Sequence, residues 1–184
     1  MDIVALVISA LSLVVAGVGT FQANRRAKEA LDESRSAAAD ARWSAAQEAV
    51  QHLIGFDPTA EPVDQRLVNL RIALIGLVDH LDGWEGLDAW LEAERTLGAT
   101  FARELMDAAR HGDGVEQRVN NLMPLMSWAQ ALSHNLRRFR SVGHDRQSLA
   151  ALEANALALV KEVHARHGWE LPPATNPRLE ELDN

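Results

Sequence analysis

The chain of 184 residues has no cysteine and no tyrosine. Without thiols there can be no disulfide staple, zinc ribbon, iron–sulfur cluster or thiol nucleophile. With tyrosine absent and only four phenylalanines, the interior must be built mainly from Leu, Val and Ala, helped by five tryptophans. That mixture favours helices over strands. No stretch alternates apolar and polar residues in the manner of a strand, and no internal repeat is present. A surplus of positive charge is also missing, since the net charge is −8. Phosphate neutralisation needs a basic surface, so nucleic acid is not an expected partner. Hydrophobic residues make up 47% and charged residues 24%, which excludes wholesale disorder. The length fits one domain with appendages.

The short motifs of catalysis are absent as well. No serine sits in a Gly-x-Ser-x-Gly turn and no glycine loop is arranged to cradle phosphate. Carboxylate-bridged di-iron bundles need Glu-x-x-His steps on two helices, and none occurs. His164 and His167, with Glu170, come nearest to a metal set, but two histidines and one tail carboxylate leave it incomplete. Cationic side chains there also suit the negative end of a helix dipole. His52, His80, His111, His134 and His144 are scattered. No residue is therefore assigned a catalytic, cofactor-binding or metal-binding role. A triad assembled from distant positions leaves no local signature, so an enzyme with dispersed catalytic residues stands as the third reading.

What is present begins with residues 3–21, IVALVISALSLVVAGVGTF, which carry no charge and only Ser9, Ser12 and Thr20 as polar side chains. About 20 residues at a rise of about 1.5 Å cross a bilayer core, so one helical crossing is expected within residues 1–24. A cleaved signal peptide would start positively and have a shorter apolar core, whereas this one starts Met1-Asp2. A buried core helix would show a polar stripe. Arg25, Arg26 and Lys28 follow the span and Asp2 precedes it, which places the N-terminus outside and the remainder in the cytoplasm. The expected location is the plasma membrane, single-pass. Ala5, Ser9, Ser12, Ala16, Gly19 and Ala23 fall on one helix face, where small side chains let two helices approach closely in lipid.

Residues 25–54 read as a helical stalk, free of Gly and Pro up to Leu53, with Ala27, Ala30, Ser34, Ala37 and Ala41 prolonging the small-residue stripe. Such a polar helix needs a cover, from the domain or from another copy. Trp43, Val50 and Leu53 suggest that its far end docks. Residues 55–62, with Gly55, Pro58 and Pro62, form a loop. The region 63–168 predicts an antiparallel bundle of the four-helix type. The second helix runs from Val63 to Leu81, with Leu67, Leu70, Leu74 and Leu77 in a seam widened by Ile72 and Ile75. The third runs from Leu87 to Arg110 and ends on a glycine cap in His111-Gly112-Asp113-Gly114. The fourth, Val115 to Val142, has a core face including Val119, Leu122, Met126 and Ala129, and Pro124 is expected to kink or split it. The fifth, N-capped by Asp145, extends to His167. Residues 169–184, proline-rich and acidic, form a loose tail.

Arg137, Arg138, Arg140 and Arg146 make the densest basic cluster beyond the membrane boundary, a candidate for anion or lipid-headgroup contact. Trp84, Trp90 or Trp169, if exposed, would mark a binding surface. The fold class expected is all-α: a transmembrane helix, a stalk and a bundle. The function expected is a membrane-anchored interaction or scaffold module that presents its bundle to a protein partner. A self-associating membrane-active protein, of pore-forming or phage-exclusion type, is the alternative. Membrane lipid, a protein partner and a second copy of the chain are the partners anticipated, and no cofactor.

Overall fold

The computed structural model describes residues 3–54, 62–81, 83–109 and 114–172, with only the backbone described for 3–23. Among these residues every regular element is a helix: α1 (Ile3–Gln51), α2 (Val63–His80), α3 (Leu87–Ala108), α4 (Val115–Val142) and α5 (Arg146–His167). The chain is all-α, and it divides into two units, Met1–Ala41 and Arg42–Asn184.

In the first unit, residues 24–41 are exposed almost throughout. Arg25 Nε donates to Glu29 Oε1 at 2.8 Å across one turn, with both side chains largely in solvent. An ion pair of that kind contributes only about 0.3–0.5 kcal/mol. The expected membrane span and its stripe, Ala5, Ser9, Ser12, Ala16, Gly19 and Ala23, fall on residues whose side chains lie outside those described. Among the described residues, no helix is long and apolar enough to cross a membrane.

The second unit begins at Arg42, earlier than the bundle start expected at 63, because the last turns of α1 are part of its core. Trp43, Ala46, Val50 and Leu53 recur at helical spacing and are buried. Gln47 bonds across to α4: its amide donates to the Ser133 carbonyl, and the Ser133 hydroxyl donates back to its oxygen, both at 3.0 Å. Five helices therefore contribute to the interior, where four had been expected. At the centre lies α3, which packs against α2, α4 and α5. Its buried positions, among them Leu87, Trp90, Leu97, Thr100, Ala102 and Leu105, cover a little more than half of the helix circumference, while Asp88, Ala99, Arg103 and Asp107 are exposed on the rest.

Three local expectations need correction. First, α3 stops at Ala108 and Ala109 is extended, its N–H still bonded to the Leu105 carbonyl at 2.9 Å, so no left-handed glycine closes it. Gly112, the expected cap, lies outside the described residues. Second, Pro124 does not split α4 into two helices but sits inside one continuous helix. Proline removes one backbone donor, and because Pro124 is exposed, the carbonyl it leaves unpaired can be satisfied by water. Third, the α4 core face starts at Leu125 and continues through Trp128, Leu132, Leu136 and Phe139, while Val119 is exposed. The first turns of α4 add nothing fully buried to the interior.

The connections behave as their residues dictate. Asp145 caps α5, accepting the Ser148 N–H at 3.1 Å and the Ser148 hydroxyl at 2.6 Å. Those bonds hold its carboxyl below the usual aspartate range. Gly168 ends α5 in the left-handed region, φ 66°. Trp84, in the α2–α3 turn, packs between Trp43 at 5.9 Å and His144 at 5.6 Å, and His144 Nε2 donates to the Glu85 carbonyl at 3.0 Å.

One contact has little tolerance. A Cβ placed on Gly98 of α3 would lie 2.2 Å from the Trp128 ring of α4. Gly98→Ala should therefore destabilise the fold by about 1–3 kcal/mol, the cost of overpacking a rigid core. Thermal or urea unfolding measures this. In a double-mutant cycle, pairing it with Trp128→Phe should cost less than the sum of the single changes, since the smaller ring vacates the contested space.

Candidate partner-docking groove

Helix α2 is apolar on more than one side. Val63, Leu70, Leu74 and Leu77 face the core and are buried. Ile72, which the sequence places among core positions, lies on the opposite side at 64% exposure, and Val68 and Ile75 are each 49% exposed. At 3.6 residues per turn, Val68 and Ile75 fall on the flank of α2 that turns toward α3, with Ile72 on the ridge beyond it. Seven consecutive apolar residues, Ile72 to Val78, encircle a helix, and only part of that circumference has a neighbour to cover it.

Between α2 and α3 runs a groove made of two clefts that share Arg71 and Arg95. The cleft of about 320 Å³ is lined by Leu74, Ile75, Val78 and Leu91, with Asp79, Asp88 and Glu92 at its polar edge. The second, about 190 Å³, is lined by Leu67, Val68, Leu70 and Ala99, with Asp64 at its edge and Trp128 at its end. The α3 wall is the row Asp88, Glu92, Arg95, Ala99, which are neighbours at helical spacing. Arg95 forks onto Glu92 through Nε at 2.7 Å and Nη2 at 2.5 Å, so that pair is internally neutralised. Arg71 is exposed and forms no ion pair among the described residues. The lining is thus apolar in its depth, with Arg71 midway and aspartates at both ends.

Trp128, the end wall, is held from behind. Glu94 of α3 is buried, 6% exposed, and accepts the Trp90 indole N–H on Oε1 at 2.9 Å and the Trp128 indole N–H on Oε2 at 2.8 Å. Trp90 in turn packs on Phe139 of α4, ring centroids 5.2 Å apart. Burial pushes the Glu94 carboxyl above the usual glutamate range, and the two indole bonds pull it partly back. Sequence reading missed this node. Its signal was a glutamate four residues after one tryptophan on a helix face that is otherwise apolar.

The residues singled out from sequence lie elsewhere and do not meet. Arg137, Arg138 and Arg140 are exposed near the end of α4, where Arg137 Nε donates a long bond to the Ser133 carbonyl at 3.4 Å. Arg146, at the start of α5, pairs with Glu85 at 3.0 Å. His164 is buried: Nδ1 donates to the Glu170 carbonyl at 2.7 Å and Nε2 lies 3.3 Å from the Thr100 hydroxyl. His167 points elsewhere, to Glu104 at 2.7 Å, and stacks on Trp169 at 4.4 Å. Arg103 lies 4.0 Å over the same indole. Both rings contact Trp169, but their hydrogen-bond partners differ, and among the described residues no group of three or more His, Asp or Glu could hold a metal. Trp90 is buried and Trp84 and Trp169 are half-buried, so among the described residues the exposed large apolar side chains are aliphatic or methionine.

Comparison with protein-family models, with curated proteins and with solved structures found no match.

The Glu94 node makes a testable stability signature. Glu94→Gln offers one acceptor and one amine to two indole donors, stranding one N–H at a cost of about 1–3 kcal/mol. Because burial raises the Glu94 pKa above its ordinary 4.5, the native state takes up a proton at a pH where the unfolded chain has not. Acidification from neutrality toward that ordinary value should therefore stabilise the wild type relative to the glutamine variant. Urea unfolding of both proteins at pH 7 and pH 5 should show the gap between them widening at the lower pH.

Proposed function

We propose that this chain is a membrane-tethered helical interaction module that holds a protein partner in the α2–α3 groove. The apolar segment 3–21 supplies the tether as a single transmembrane crossing, with the bundle on the cytoplasmic side of the plasma membrane as the flanking Arg25, Arg26 and Lys28 require. The observation that carries the docking role is the exposed row Val68, Ile72 and Ile75 beside the groove. A contiguous aliphatic row left in water beside an apolar groove supports the reading of a surface that another protein covers. A catalytic reading would need titratable groups converging in a cleft. Here Glu94 has both oxygens occupied by indoles, and Glu104, the other largely buried carboxylate among the described residues, is engaged by Arg166 and His167 through Oε1.

A second reading draws on residues 24–41, which are exposed almost throughout. Self-association along α1, with Ala5, Ser9, Ser12, Ala16, Gly19 and Ala23 meeting in the bilayer, would give a membrane-active oligomer.

Two measurements test these readings. The full chain should sediment with membranes and need detergent for release, and protease added outside intact cells should spare the bundle. From solubilised membranes the wild type should retain one stoichiometric protein partner that Ile72→Glu/Ile75→Glu loses. These positions are exposed, so the substitutions should change stability by no more than about 0.5 kcal/mol, as a thermal melt would verify. Loss of membrane potential on overexpression, abolished by Ser9→Leu or Ala16→Leu, would instead favour the oligomer.

A further inference from the structure

Resting on the docking role just proposed, we infer that the occupant of the α2–α3 groove is an amphipathic helix of a different protein, about 15 residues long, with basic residues at both ends. Its length follows from the groove: from Asp64 to Asp79 the α2 wall spans about 22 Å at a rise of about 1.5 Å per residue. Its helical form follows from the walls. Both are helices whose backbone groups are bonded internally, so no strand edge is available to an extended peptide. A groove between two antiparallel helices instead seats a third helix by ridges-into-grooves packing. Apolar anchors at i, i+3 or i+4, and i+7 would meet Val68, Leu74, Ile75 and Leu91.

Charge selects the ends. Asp64 stands at one end of the groove, and Asp79 and Asp88 at the other. Glu92 at that second end is already neutralised by Arg95. A lysine or arginine in the first and last turns of the occupant would therefore meet an unneutralised aspartate in each case. The same aspartates repel anionic lipid headgroups, which argues against this face lying on the bilayer. A second copy is disfavoured because each chain carries a net charge of −8. A two-fold dimer would set this same face, with its Asp64, Asp79 and Asp88, against its own copy, so like charges oppose that pairing.

The test uses the full chain in non-ionic detergent and two designed 18-residue peptides, each side-chain cross-linked to hold its helix. Both carry leucines at i, i+4, i+7 and i+11; one has lysines in its first and last turns, the other glutamates. Fluorescence anisotropy should show the lysine peptide binding about tenfold more tightly at low salt, with the advantage shrinking as salt rises. Asp64→Lys/Asp79→Lys/Asp88→Lys should reverse the preference, and Ile72→Glu/Ile75→Glu should abolish binding of both. Equal binding of the two peptides overturns the inference, as does a preference unchanged by the triple substitution. So does concentration-dependent self-association, seen by sedimentation, that excludes the peptide. If the peptides are not distinguished while Ile72→Glu/Ile75→Glu still loses the cellular partner, the charge assignment fails and the docking groove stands.

Discussion

A carboxylate without a cation lies at the heart of this bundle. Glu94 is buried, and it is held there because each of its oxygens accepts an indole N–H, one from Trp90 on its own helix and one from Trp128 on α4. Burying a charge costs several kcal/mol, and good hydrogen bonds to both oxygens are what make it tolerable. The arrangement places strict demands on its surroundings. Trp128 must lie flat enough against α3 to reach Glu94, which only a residue without a Cβ at position 98 permits. Position, orientation and spacing of α3 against α4 are thereby coupled through three side chains and one missing one.

The groove inherits that rigidity. Trp128 closes its end, so the indole that satisfies Glu94 from inside also shapes the surface that a partner would meet. Binding sites built on helices whose rotamers are locked by a second layer of contacts lose little entropy on docking, which favours affinity. Helix α2 packs on α3 and is met on another flank by the end of α1, through Arg42 beside Gly76 and Arg66 at the His52 carbonyl, which leaves the arc of Val68, Ile72 and Ile75 open. Its remaining aliphatic residues are left to solvent or to another protein.

Much of the fold was legible in advance. The starts of α2, α3 and α4, the Asp145 cap and the end of α5 at His167 were readable because caps, turns and apolar spacing are local properties of the chain. The docking of Trp43, Val50 and Leu53 was readable for the same reason: apolar residues at helical spacing need a partner surface. The first turns of α4 were misread. Val119 has the right chemistry and nearly the right spacing for the core, yet nothing packs over it fully. The candidate site was largely illegible, since Ile72 and Ile75 look like core residues until their neighbours are known.

The amino-acid sequence by itself determined that this protein is helical, where most of its helices begin, and that residues 3–21 carry no charge. Those are consequences of periodicity, capping chemistry and length, which each segment carries without reference to the others. Only the tertiary structure decided which apolar faces find cover, that Glu94 answers two tryptophans and that Gly98 admits one of them. It also decided that Arg71 and Arg95 share a groove. These depend on the mutual placement of helices far apart in the chain, and a sequence pattern names the faces that seek a neighbour without naming the neighbour.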